Sequence, residues 1–133
     1  YSENFFKNSG AIKFILLNVS AAFHSNIMKK AEEKMLNFIK KISFKSSNIN
    51  IISNYSAEST DNISVIINNL SKQMSNKVRW VESIKTLEQL KEENIIEIGP
   101  GKVLSGLIKR ISKKFKLINF NDINDIVKIK NET

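Results

Sequence analysis

Apolar runs of strand length alternate with helices of period 3.6 along this chain, and that alternation limits the fold more than any other feature. Ala11 to Val19 is a nearly unbroken apolar run, rich in strand formers and too short for a core helix, so it is expected to form a buried strand. Met28, Ala31, Met35, Phe38 and Ile42 recur at spacings of three and four, placing one apolar stripe on a helix from about Asn26 to Lys41 with Ser25 as its N-cap. Ile49, Ile51 and Ile52 read as a second short strand. Ile63, Ile66, Ile67, Leu70 and Met74 give a second helix capped near Asp61, and Val81, Ile84, Leu87 and Leu90 a third. Ile95 to Ile98 is then a strand ending at Gly99-Pro100-Gly101, before a helix whose buried face is Leu104, Leu107, Ile108 and Ile111. Lys116 to Phe120 and Asp122 to Lys130 make a last strand and helix.

Strands and helices in this order imply an α/β fold with a largely parallel sheet, because parallel neighbours need a crossover and a helix provides it. Only three or four strands are present, whereas a parallel sheet must be covered on both faces, so the set reads as one side of a larger domain. The first residue is Tyr1 rather than Met, so the sequence is expected to be processed or to begin inside a longer product.

With 133 residues and 41% apolar content the chain is long and apolar enough to bury a core. It holds no apolar run of the roughly 18 residues a membrane span requires and opens on no export signal. The absence of cysteine excludes disulfides and thiolate metal sites and is compatible with a reducing compartment, so the default expectation is a cytoplasmic protein with no metal site and no membrane partner. Lys and Arg exceed Asp and Glu by 21 to 13, and the formal charge of +8 invites an anionic partner without choosing among nucleic acid, an acidic protein and a phosphate-bearing molecule. Lys29, Lys30, Lys34, Lys40 and Lys41 fall on what reads as a solvated helix face.

Histidine occurs once, at His24, just after the expected strand and before the first long helix. In α/β sheets ligands bind at the carboxyl ends of strands, although a lone histidine there is also compatible with a structural or merely exposed side chain. Its surroundings say more. Asn18-Val19-Ser20-Ala21-Ala22-Phe23-His24-Ser25, followed by Met28-Lys29 and Ala31-Glu32-Glu33-Lys34, resembles the histidine segment of bacterial malonyl-CoA:acyl carrier protein transacylases. Three further blocks agree in order and spacing: Ile52-Ser53-Asn54, then Gln73 through Val78-Arg79-Trp80-Val81-Glu82-Ser83, then Glu97-Ile98-Gly99-Pro100-Gly101-Lys102-Val103-Leu104-Ser105-Gly106-Leu107. The resemblance runs from about Asn18 to Arg110, and four ordered blocks make it specific where any one would be weak.

The resemblance implies part of an α/β-hydrolase-like acyltransferase domain carrying a small ferredoxin-like subdomain. Residues 1–19 would be the end of the small subdomain and its return strand, and residues 20–133 the C-terminal part of the large one. It also implies malonyl transfer in fatty acid biosynthesis through an acyl-serine, with malonyl-CoA and the phosphopantetheine of acyl carrier protein as substrates and no permanently bound cofactor. A serine hydroxyl is a poor nucleophile near neutral pH and needs a neighbouring base, which His24 matches. Such a base must keep one ring nitrogen unprotonated, so the other must be held; in the family the holder is a backbone carbonyl, and the residue contributing it aligns with Gln73. Taken alone, Gln73 is simply a polar position on an amphipathic helix.

The family's Gly-x-Ser-x-Gly nucleophile, its carboxylate-clamping arginine and its oxyanion glutamine lie upstream of the matched region, and the 133 residues contain no Gly-x-Ser-x-Gly. Arg79 and Arg110 fall in other blocks and are not assigned to the clamp. Where the family usually has proline, this chain has Asn26, Lys30 and Lys77, each losing a fixed φ and none removing a reacting group. Gly99-Pro100-Gly101-Lys102 invites a phosphate-loop reading but lacks the spacing of one, and a tight strand-to-helix corner explains the glycines without a ligand. An inactive truncated product and a small basic module binding nucleic acid remain as rival readings; the second would need aromatics interleaved with the basic residues, whereas most of the phenylalanines sit in apolar stripes.

Two finer expectations follow. Lys109, Arg110, Lys113, Lys114 and Lys116 form the densest charge run and suit the docking of an acidic carrier protein, though a solvated face would look the same. Phe23 occupies the position where relatives selective for malonyl groups show Ala-Phe-His and those selective for methylmalonyl groups Ala-Ser-His, so its ring is expected to exclude an α-methyl substituent unless it merely packs as core.

Overall fold

The structure, a computed structural model, describes residues 2–16 and 18–125. It is an α/β arrangement whose elements run α1 Ser2–Asn8, a 3-10 turn Asn26–Met28 leading into α2 Lys29–Ile39, β1 Ile51–Ile52, β2 Ser59–Thr60, α3 Ile63–Lys72, α4 Trp80–Gln89, β3 Asn94–Ile98, α5 Val103–Ile111 and β4 Lys116–Phe120. Among the described residues no helix is long and apolar enough to cross a membrane. The helix expected over Asp122 to Lys130 lies largely outside the described residues, which end with Ile123, Asn124 and Asp125 helical.

β3 and β4 pair in parallel, Asn94 opposite Lys116 through Ile98 opposite Phe120, with α5 as the crossover between them. β1 and β2 form a separate antiparallel pair of two residues each, so the ordered strands are half parallel rather than largely so. Side chains alternate along β3: Ile95 and Glu97 turn toward covering helices, while Ile98 is 83% exposed and Ile96 half exposed on the opposite face. One face of a parallel pair is therefore open, where such sheets are ordinarily covered on both sides.

Of the run Ala11 to Val19, expected as a buried strand, the described residues 11–16, 18 and 19 are irregular, and Ile12, Ile15, Leu16 and Val19 are exposed. Strand propensity records how well a side chain suits a pleated, half-buried surface, and an apolar run becomes a strand only where a neighbour accepts its backbone hydrogen bonds. None of the strands of the described residues pairs with this run. Before it lies a helix that periodicity did not reveal. In α1, Lys7 pairs with Glu3 at 2.7 Å, and the helix closes when Gly10, at φ +91°, lets Ala11 N–H reach the Phe6 carbonyl and Gly10 N–H the Lys7 carbonyl.

Two caps differ from expectation. Ser25 precedes the 3-10 turn, but its hydroxyl donates back to the Ala22 carbonyl at 2.7 Å instead of capping. At α3 the cap is Asn62 rather than Asp61, its Oδ1 accepting from Ser64 N–H at 3.0 Å and Val65 N–H at 3.2 Å.

Candidate active site

His24 sits between the irregular segment and α2, at φ +62°, a left-handed conformation uncommon for a residue with a Cβ. This turn aims both its main chain and its ring at the C-terminal end of α3, where helix carbonyls lack intrahelical partners. His24 N–H donates to the Met74 carbonyl at 2.9 Å, and Nδ1 lies 2.9 Å from the Gln73 carbonyl and 3.2 Å from that of Asn76. A carbonyl oxygen can only accept, so in the neutral ring it is Nδ1 that carries the proton and Nε2 that keeps the lone pair. Among the described residues Nε2 makes no hydrogen bond. The Gln73 contact is made by the main chain, and Gln73 also lines a cavity beside the ring. That cavity, of about 230 Å³, is lined by Phe23, His24, Met35, Asn54, Leu70, Gln73 and Met74. Phe23, 53% exposed, thus opens onto the same space as the His24 ring.

The carbonyl-bearing loop is tied down on two sides. Asn76 donates through Nδ2 to the Lys72 carbonyl at 2.7 Å and to Ser75 Oγ at 3.2 Å. Ser75, itself buried, donates its hydroxyl to the Glu32 carboxylate in α2. Glu32 is only 5% exposed and also meets Lys29 Nζ at 2.6 Å and Lys72 Nζ at 3.9 Å. Burial pushes the Glu32 carboxyl up, but the hydrogen bonds from Lys29 and Ser75 and the charges of Lys29 and Lys72 outweigh it and hold the group below the ordinary carboxylate range.

Arg79 is committed to structure: its N–H donates to the Asn54 carbonyl at 2.9 Å, Nη1 to the Ser56 carbonyl at 2.9 Å, and Nε to Glu82 at 3.2 Å. It anchors the loop between β1 and β2 against α4. The glycine corner after β3 is likewise occupied. Glu97 reaches over it to accept from Leu104 N–H at 2.9 Å and Ser105 N–H at 2.8 Å, while Asn119 Nδ2 donates to it at 2.9 Å. Hydrogen bonding from the Ser105 side chain first, then from the α5 amides, draws the Glu97 carboxyl below its usual range despite partial desolvation. The amides that would cradle a phosphate at the α5 N-terminus are satisfied from within, so the corner is a turn and not a phosphate loop. Lys109, Arg110, Lys113, Lys114 and Lys116 are all exposed at the end of α5 and the start of β4, with Lys114 Nζ 3.8 Å from Glu88.

Comparison with known proteins bears on what this arrangement is for. No family model matches the chain. The malonyl CoA-acyl carrier protein transacylase of Bacillus subtilis is 40% identical over 116 residues, which are 87% of this chain and 37% of that protein. A crystal structure of the transacylase from Streptococcus pneumoniae superposes with a TM-score of 0.88 at 30% identity, over 99% of this chain and 43% of that one. The chain is homologous to a C-terminal portion of the malonyl-CoA:acyl carrier protein transacylases. It spans about two fifths of the length of the curated transacylases it matches. Its α/β fold is that of the transacylase acyltransferase domain, and a malonyl-transacylase caught in complex with its type II PKS acyl-carrier protein superposes with a TM-score of 0.86 at 28% identity, over 96% of this chain and 41% of that one.

Asn76 and the Glu32–Ser75 pair, which the structure places around the His24 contacts, were not singled out from the sequence. Nothing in the spacing marks them: Asn76 acts through its main chain, and Glu32 looks like any acidic residue in the first turn of an amphipathic helix.

Proposed function

We propose that this chain is the segment of a malonyl-CoA:acyl carrier protein transacylase that supplies the catalytic base, His24. The observation that carries the reading is the ring geometry: two carbonyls hold the proton on Nδ1 and leave Nε2 free beside an open cavity. Nε2 takes the hydroxyl proton of the serine nucleophile as its oxygen attacks the malonyl thioester. The resulting imidazolium then protonates the departing CoA sulfur, leaving a malonyl-serine ester. In the second half Nε2 takes the thiol proton of the carrier's phosphopantetheine, the sulfur attacks the ester, and the serine oxygen leaves with that proton. The Gln73 and Asn76 carbonyls face the positive charge the ring gains in each half.

In this reading residues 1–19 close the small subdomain and residues 20–133 complete the large one, no cofactor is permanently bound, and the enzyme works in the cytoplasm with malonyl-CoA and acyl carrier protein. The nucleophile is contributed by sequence outside these 133 residues. The chain on its own is therefore expected to transfer no malonate from malonyl-CoA to carrier protein, and detectable transfer by it would overturn the assignment of roles.

Phe23 is the proposed selectivity residue, because its ring borders the cavity His24 opens onto. In the complete enzyme Phe23→Ser should raise kcat/KM for methylmalonyl-CoA relative to malonyl-CoA by about tenfold, the value of one methyl-sized contact. An unchanged ratio in a folded protein would assign Phe23 to packing. The exposed run Lys109 to Lys116 is the proposed landing surface for the acidic carrier. Reversing Lys109 and Lys113 to Glu should raise KM for carrier protein by about three- to tenfold and leave KM for malonyl-CoA alone; equal increases in both would remove the idea.

A further inference from the structure

We propose that Glu32 is a positioning residue for His24, acting through Ser75 on the loop whose carbonyls hold the imidazole. The inference rests on the reading of His24 as the base. Residues Gln73, Met74 and Asn76 each give His24 a carbonyl, two to the ring and one to the main chain. The fourth residue of that loop, Ser75, turns its hydroxyl the other way, onto Glu32. Glu32 lies on the helix that begins directly after the His24 turn, so the contact joins the segment bearing the donor to the segment bearing the acceptors and closes a ring of interactions. α2 and α3 pack on one another and share the Lys72–Glu32 pair, and the Ser75 bond adds a polar tie from α2 to the loop itself.

The electrostatics suit a brace rather than a chance contact. A carboxylate this buried is tolerated only when paired, and here Lys29 from the same helix and Lys72 from α3 flank it while Ser75 supplies a neutral donor. A hydroxyl that donates to an ionised acceptor makes a stronger and more directional bond than one to a carbonyl, which fixes the Ser75 rotamer and with it the peptide planes on either side. One of those planes carries the Met74 carbonyl that accepts from His24 N–H, and the two adjoin the planes of the Gln73 and Asn76 carbonyls that face Nδ1. A shift of the loop by an ångström would lengthen both ring contacts and let the imidazole turn, and misplacement on that scale is costly to proton transfer.

The test uses the complete enzyme labelled with 15N and reads the His24 ring nitrogens, assigned by their loss in His24→Ala, and the solvent exchange of the Nδ1 proton. Ser75→Ala should accelerate that exchange by about tenfold or more, the order expected for losing one hydrogen bond to a charged group, and Ser75→Thr, which keeps the hydroxyl, should restore it. Unchanged exchange and tautomer in Ser75→Ala would overturn the proposal. Should Ser75→Ala disturb amide shifts far away in α4 and α5, Glu32→Gln decides in its place, with faster exchange supporting the brace and unchanged exchange overturning it. In the complete enzyme, Ser75→Ala should lower kcat and leave KM for malonyl-CoA near its original value, a split that a tie serving only helix packing would not produce. If His24→Ala kept full turnover, the assignment of the base would fall while the exchange result still reported on the brace.

Discussion

His24→Ala in the complete transacylase is expected to lower turnover by about 10²- to 10⁴-fold while the protein stays folded, the range ascribed to a positioned general base. His24 is an exposed residue at a turn, and its ring fills none of the core formed by Ile39, Ala57, Ile84 and Ile108, so little stability leaves with it. The companion variant separates main chain from side chain. Because the ring contact at 2.9 Å is made by the Gln73 carbonyl, Gln73→Ala preserves the acceptor and should keep turnover within about threefold, whereas a side-chain role would show a loss close to that of His24→Ala. Circular dichroism and thermal unfolding of both variants check that activity is read from folded protein. Loss of turnover that follows only from unfolding, or a Gln73→Ala loss of a hundredfold or more, would refute the assignment of the orienting group to the main chain.

What could be read beforehand follows from the range of the interactions involved. α2, α3, α4 and α5 are legible because a helix writes its buried stripe into local spacing, and β3 and β4 because Ile95 to Ile98 and Lys116 to Phe120 flank a helix of crossover length. Ala11 to Val19 misleads because its composition is that of a strand while its pairing depends on a partner, and no local pattern encodes a partner. Residues quoted for the resemblance led to His24 and to Gln73. Asn76 stayed hidden because any residue type offers a carbonyl, and Glu32 because its meeting with Ser75 spans 43 positions in sequence. Glu97 shows the same limit at shorter range: it is a polar residue in an apolar strand, and only the fold reveals that it caps the helix beyond the glycine corner.

The second large effect concerns stability, and it comes from how little of the chain's apolar surface is buried. Among the described residues the fully buried large side chains are Ile84, 1% exposed, and Ile108, 2% exposed, which fasten α4 and α5 beside β3. Removing buried methyl and methylene groups from an isoleucine forfeits their transfer from water and leaves a void that neighbours fill only in part, about 2–5 kcal/mol for truncation to alanine. A domain's whole margin is about 5–15 kcal/mol, and a chain with its sheet open on one face has little to spare. Ile84→Ala should therefore remove a large part of the cooperative urea transition of the 133-residue chain, and Ile84→Val should cost about 0.5–1.5 kcal/mol. Ile12, the same residue type but fully exposed in the irregular segment, provides the contrast: Ile12→Ala should change stability by no more than about 0.5 kcal/mol. Equal effects at positions 84 and 12 would mean that the α4–α5 layer is not what holds the chain together. Small effects at both would mean that the chain acquires its packing only when the open face of β3 and β4 is covered.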